Sequence, residues 1–267
     1  KILNPDELVP SYLYINDITV NTTANQGTKS DNIIDAWVYV NGNLVGTWEL
    51  PAKIPIHAEG EYDLKIFAGI KKSGLANLRV QNEFMNPFDS TLVSVPHKID
   101  SITPAVTYKS GANFWIEDFE DPGVKFTKSS YSDTTLEITT DPSLVFEGNG
   151  TGVITFDASD IIFGARTNEI EFNSFPKGGK PVYLEIDYKS DEVITVGIYH
   201  NNNATSLIKE EYLNLFPTDG KWKKTYIDLK EVISPKLNAT EFEVYLEVTK
   251  NKSSLPLVFI DNIKVIY

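Results

Sequence analysis

The residues that could do chemistry come first. Glu185 and Asp187 lie two apart in the run Val182–Tyr188, and Glu169 and Glu171 repeat that spacing. Residues two apart in a strand share a face, and paired carboxylates are what glycoside hydrolysis requires. An E-x-D-x-x-E strand would carry a third acid at position 190, where the chain has Ser190. The expectation is a solvated acidic face opposite Val182, Leu184, Ile186 and Tyr188. Glu117, Asp118, Glu120 and Asp121 read as a charged strand end.

Other catalytic chemistries find little support. The three histidines, His57, His97 and His200, show no zinc-type spacing. No G-x-S-x-G elbow supplies a nucleophile, and the absence of cysteine removes thiolate chemistry and disulfides. Gly148, Gly150 and Gly152 form G-x-G-x-G with no helix behind them, so no helix terminus is available to hold a phosphate. No catalytic residue is assigned, and the chain is expected not to be an enzyme. The run Tyr199-His200-Asn201-Asn202-Asn203 offers an aromatic face beside planar polar groups, the combination that suits sugars. Trp37, Trp48 and Trp222 are expected to be packing residues.

Composition narrows the partners. The chain has 267 residues and a net charge of −13. A polyanion is repelled, so nucleic acid is excluded as a partner. The length suits two domains. The chain begins at Lys1 and its one methionine is Met85, which reads as a leader already removed. No apolar run approaches the roughly 18 residues of a membrane span. Any membrane attachment is expected through that missing segment.

Short runs rich in β-branched and aromatic residues, broken by Gly, Pro, Asn and Asp, predict an all-β chain. Strands are predicted at Tyr12–Val20, Ala36–Val40, Leu44–Leu50, Tyr62–Ile66, Leu75–Val80 and Thr91–Val95. Asn41-Gly42 between two apolar runs predicts a tight hairpin. A domain boundary is placed near Ser110, where Pro104, Ser110 and Gly111 interrupt the pattern. Beyond it, strands are predicted at Leu136–Thr140, Leu144–Glu147, Gly152–Phe156, Asn168–Phe172, Val182–Tyr188, Ile194–Tyr199, Trp222–Leu229, Phe242–Val248 and Leu257–Tyr267, with a helical turn at Glu231–Ile233.

Two stretches resemble known modules. AWVYVNGNLVGTWELPAKIPIHAEGEYDLKIFAGI resembles the PEGA-type and immunoglobulin-like modules of bacterial envelope proteins. WIEDFED, VFEGNGTGVITFD, DGKWKKTYIDL and VFIDNIKVIY are similar in order and spacing to galactose-binding-like jelly rolls, which include many carbohydrate-binding modules. Together they resemble a Bacteroidetes-type surface lipoprotein. The resemblance implies two β-sandwich domains, immunoglobulin-like over 1–110 and a jelly roll over 111–267. It implies an extracytoplasmic site, on the outer-membrane surface or in the periplasm, with an N-terminal lipid anchor.

It further implies a structural Ca²⁺ held by Glu120 and Asp261. Tyr131 and Arg166 fall in segments that line the binding surface of such modules. With Tyr199, His200 and Asn201 they form the expected ligand-binding set. The expected function is non-catalytic surface binding of a glycan or of an envelope protein. A structural spacer subunit, and a glycoside hydrolase or lyase, are the alternative readings.

Overall fold

The structure is a computed structural model, and it describes residues 9–168, 175–251 and 255–267. The chain is all-β apart from single helical turns, and it divides into two compact units, Lys1–Ala112 and Asn113–Tyr267.

The first unit holds β1 (Ser11–Ile15), β2 (Thr19–Asn21), β3 (Asp35–Val40), β4 (Asn43–Glu49), β5 (Ala52–Ile56), β6 (Gly60–Lys71), β7 (Arg79–Gln81), β8 (Met85–Asn86), β9 (Phe88–Ser94), β10 (Ile99–Ile102) and β11 (Ala105–Tyr108). They form three sheets. The largest runs β4-β3-β6-β7, with β9 also paired to β6. The others run β10-β1-β5 and β2-β11-β8, and the pairs β1/β10 and β2/β11 are parallel. On β6, Tyr62, Leu64, Ile66 and Ala68 are buried while Glu61, Asp63 and Lys65 are exposed, the period of two expected of a half-buried strand.

Local chemistry corrects two predicted strands here. Tyr12–Val20 is interrupted because the Asp17 carboxylate accepts the Ile18 amide at 2.8 Å, and the chain changes sheet between β1 and β2. Of Leu75–Val80 only Arg79 and Val80 are in a strand. The preceding residues bond back on themselves, Leu75 N to Lys72 O and Leu78 N to Leu75 O, leaving both leucines exposed.

The second unit holds β12 (Phe114–Glu117), β13 (Phe126–Lys128), β14 (Leu136–Thr139), β15 (Thr151–Thr155), β16 (Ile162–Thr167), β17 (Tyr183–Ser190), β18 (Ile194–His200), β19 (Ile208–Leu215), β20 (Lys223–Asp228), the turn α1 (Lys230–Ile233), β21 (Phe242–Thr249) and β22 (Leu257–Ile266). One sheet runs β14-β15-β22-β17-β20, with β12 also on β22. The other runs β13-β16-β21-β18-β19. Leu184, Ile186, Ile260 and Val265 from the first sheet and Phe163, Val196, Val244 and Leu246 from the second belong to one buried cluster. The unit is therefore a β-sandwich. Each such aliphatic side chain contributes about 1.5–3 kcal/mol by its burial.

The predicted strand Leu144–Glu147 is a turn. Asp141 O accepts the amides of Leu144 and Val145, and the Asp141 carboxylate accepts the Ser143 amide and hydroxyl. Beyond Asn168, the predicted strand Asn168–Phe172 lies outside the described residues, and Glu169 and Glu171 with it. β12, β13, β16 and β19 fall in none of the predicted strand ranges.

The hairpin stands as predicted. Asn41 and Gly42 join β3 to β4 with φ of 49° and 79°, and the Asn41 side chain accepts the Asp63 amide at 2.9 Å. A methyl on Gly42 would meet no atom within 4 Å, so a substitution there reports backbone strain alone. Gly42→Ala is expected to lose about 1 kcal/mol in urea unfolding. Gly111→Ala, which is equally open but not at positive φ, is expected to stay within about 0.5 kcal/mol.

Candidate functional site

The site is built by the second sheet of the sandwich. Along β21, Phe242, Val244, Leu246 and Val248 enter the core. Glu243, Tyr245 and Glu247 therefore take the opposite face. On β18 the same alternation sends Ile194, Val196 and Ile198 inward and Thr195, Gly197 and Tyr199 outward. The register sets Tyr245 between Arg166 of β16 and Gly197 of β18, and Tyr199 between Glu243 of β21 and Lys209 of β19.

Two glycines let aromatic rings lie down on this face. A Cβ on Gly197 would stand 2.3 Å from the Glu210 carbonyl oxygen and 2.5 Å from Cε1 of Tyr245, and one on Gly164 would stand 2.6 Å from Cε2 of Tyr131. Tyr245 forms the buried floor, and its ring meets that of Tyr199 edge-on at 5.3 Å. Tyr131 is 38% exposed and Tyr199 is half-buried, so both present surface to solvent.

Charged side chains frame the rings in pairs. Arg166 Nη1 lies 2.8 Å from Glu243 Oε2, and its guanidinium sits 5.5 Å from the Tyr199 ring centre. Lys209 Nζ lies 2.5 Å from Glu247 Oε2, 5.1 Å from the Tyr131 ring and 4.8 Å from the Tyr245 ring. A cation over an aromatic face adds about 0.5–1 kcal/mol at such sites. Burial raises the Tyr131 phenol well above its ordinary value, and its hydrogen bonds to Glu247 and Tyr199 raise it further. Burial likewise raises that of Tyr245, as do Glu211 and Glu247. Both therefore stay neutral at physiological pH. Burial also raises the Glu243 carboxyl, with Arg166 opposing.

Of the five expected ligand residues, the fold brings three together: Tyr131, Arg166 and Tyr199. His200 and Asn201 lie elsewhere. His200 is buried, accepts the Asn202 amide at Nδ1 and places Nε2 3.2 Å from Glu210. Asn201 accepts the amides of Thr240 and Glu241, tying the end of β18 to the chain entering β21. Tyr245, Lys209, Glu243 and Glu247 carry no prediction. The signal for three of them is present in Phe242–Val248, where Tyr245 sits between two glutamates on the polar phase of a strict alternation.

The carboxylates Glu185 and Asp187 are not on a solvated face. They are 0% and 1% exposed, with Lys224 Nζ at 3.5 and 3.4 Å. Burial of unpaired carboxylates would be prohibitive, so the expected open acidic face is replaced by an ionic cluster. Lys264, 0% exposed, lies close enough to feel Glu185, Asp187 and Glu147, and burial lowers its ammonium to about 8. Trp222 packs beside Phe146 and Phe259, at 4.7 and 6.3 Å, and Trp48 lies over Gly46.

Glu120 and Asp261 flank the same turn. Glu120 accepts the amides of Asn149 and Gly150 and the Asn149 side chain, at 2.7, 3.0 and 2.9 Å. Asp261 accepts the Thr151 hydroxyl at 2.6 Å and the Asn262 amide at 2.7 Å. Calcium needs roughly six to eight converging oxygens. These oxygens face N–H and O–H donors, and no group of three acidic or histidine side chains that could hold a metal occurs among the described residues.

The comparisons with known proteins give a backbone likeness. No protein family and no curated relative matches the chain. Solved structures do. The CBM22-2 xylan-binding domain from Paenibacillus barcinonensis Xyn10C is 16% identical, with a TM-score of 0.41, over 57% of this chain and 97% of that one. The C-terminal family 22 carbohydrate-binding module of Clostridium thermocellum Xyn10B is 13% identical, with a TM-score of 0.41, over 57% and 90%. A family 29 carbohydrate-binding module complexed with mannohexaose is 13% identical, with a TM-score of 0.37, over 58% and 92%. Over a little more than half its length, the chain is similar to carbohydrate-binding modules.

The buried acid yields a pH prediction. Burial raises the Asp261 carboxyl to about 7, with the Thr151 and Asn262 hydrogen bonds opposing and Asp187 adding to it. The unfolded chain ionises this group near pH 3.9. Between those values the folded state holds a proton that the unfolded state has released. Stability from this group is therefore greatest below about pH 4 and falls as pH rises towards about 7. Asp261→Asn is expected to flatten that fall in unfolding midpoints measured from pH 4 to 8. A slope unchanged by the substitution would contradict it.

Proposed function

We propose that the second unit is a non-catalytic module that binds a neutral glycan on the face presented by Tyr131 and Tyr199 above the buried Tyr245. The observation that carries this reading is the pair of solvent-facing tyrosines, Tyr131 and Tyr199, backed by buried Tyr245 and bordered by charges already paired with one another. Sugar rings stack their C–H faces on aromatics, and their hydroxyls need paired polar partners. Arg166–Glu243 and Lys209–Glu247 supply donors and acceptors without a net positive field. An acidic polysaccharide would meet Glu211 and the −13 charge of the chain, so a neutral one is favoured.

The reading as a binder rather than a hydrolase draws on the ionic cluster. A substrate cannot reach Glu185 and Asp187 where they stand, buried against Lys224. In this proposal the first unit is the immunoglobulin-like module of the sequence resemblance and links the binder to the envelope. In the same proposal the protein is extracytoplasmic and lipid-anchored. An envelope protein is the alternative partner for the same face.

Isothermal titration against xylo-, manno-, cello- and laminarihexaose tests the proposal, with polygalacturonate as the acidic control. At least one neutral hexaose is expected to bind, and the control is not. Tyr199→Ala is expected to weaken binding at least tenfold, or about 1.4 kcal/mol. Gly164→Ala, which pushes the Tyr131 ring off the sheet, is expected to weaken it several-fold at a stability cost of about 1–3 kcal/mol. Flat titrations with all four sugars, or an affinity unmoved by Tyr199→Ala, would reject the glycan reading and leave the protein partner.

A further inference from the structure

We infer that the first unit carries a second saccharide site, on the outer face of the sheet β4-β3-β6-β7. Ala36, Val38 and Val40 of β3 and Leu64, Ile66 and Ala68 of β6 are buried. The alternate residues Tyr39, Asp63, Lys65 and Phe67 therefore share the other face. There, with Asp89, Ser90 and Thr91 of the paired strand β9, they line an open depression of about 670 Å³. That volume lies within the range of small-ligand sites, about 300–1,000 Å³.

The lining has the chemistry of a polyhydroxylated ligand. Tyr39 and Phe67 form an apolar wall, their rings 5.4 Å apart at 66°. The Tyr39 hydroxyl accepts the Gln81 side chain at 3.1 Å, which fixes the ring. The polar wall is held ready by its own contacts. Thr91 donates to Asp63 Oδ1 at 3.3 Å, and Lys65 Nζ lies 3.2 Å from Asp89. A carboxylate accepts about four hydrogen bonds and an ammonium donates three. Asp63, Asp89 and Lys65 each retain capacity for hydroxyl groups after those contacts. An anionic ligand would meet two carboxylates against one ammonium. A purely apolar ligand would strand the charged wall without water. A neutral sugar satisfies both walls.

This site shares no residue with the tyrosine face of the second unit, so each can fail alone. Amide resonances of the full chain, titrated with xylo-, manno-, cello- and laminarihexaose, separate the two. Saturable shifts are expected at residues 39–42, 63–67 and 89–91, and they are expected to persist in Tyr199→Ala. Tyr39→Ala is expected to weaken them at least tenfold. Asp89→Asn, at a side chain 62% exposed and so without consequence for folding, is expected to weaken them about fivefold. Amides of the groove that stay still with all four sugars would overturn the inference, whatever happens at residues 197–199 and 243–247. Shifts of the groove amides with an amine such as putrescine, but with none of the sugars, would overturn it equally, by assigning the groove to a cation.

Discussion

An aromatic ring can lie flat on a β-sheet only where the neighbouring strand has no side chain in its way. Gly197 gives that space to Tyr245 and Gly164 gives it to Tyr131. The rest of the site follows. With Tyr245 down, Tyr199 meets its edge, Lys209 settles over two rings and reaches Glu247, and Arg166 spans from Tyr199 to Glu243. A side chain at either glycine would lift a ring and disturb pairs that depend on its position. Tyr199 and Tyr245 stand on strands packed on a core, and Tyr131 reaches the same face from the turn between β13 and β14, which favours a largely preformed binding face.

The opposite sheet solves a different problem. Its central strand is the C-terminal one, β22, which pairs with β12, β15 and β17. This strand carries Asp261 and Lys264 into burial beside Glu185, Asp187 and Lys224. Such a cluster is a costly way to stabilise a sheet, and its members hold together by mutual pairing. It makes the acids that look most catalytic in the sequence part of the framework. It also couples the sandwich to pH through groups displaced towards neutrality, Asp261 upward and Lys264 downward.

How much of this was legible in the sequence depended on whether the deciding interaction was local. Asn41-Gly42 sets its own backbone, so the hairpin could be read outright. The alternation of Phe242–Val248 likewise gave a strand. Leu144–Glu147 looked like a strand because three apolar residues, Leu144, Val145 and Phe146, were adjacent, and a side-chain cap at Asp141 decided otherwise. β19 was hidden because Lys209-Glu210-Glu211 resembles a solvated loop, although those charges sit beside partners on β18, β21 and the chain after α1.

The candidate site divides in the same way. Tyr199 could be singled out from its own neighbourhood, but His200 and Asn201 could not be separated from it. Only strand phase tells that His200 turns inward, and only a partner forty residues away tells that Asn201 is a tie between segments. The burial of Glu185 and Asp187 depended on lysines from two other strands, which no spacing along the chain records.

The central claim is that this tyrosine face is where a neutral glycan rests. A crystal structure of the full chain soaked with the best-binding hexaose tests it most directly. The account predicts a sugar ring stacked on Tyr199 or Tyr131, with hydroxyls bonded to Arg166, Glu243 or Lys209. Sugar density confined to other surfaces of the second unit, with this face bare, would contradict it.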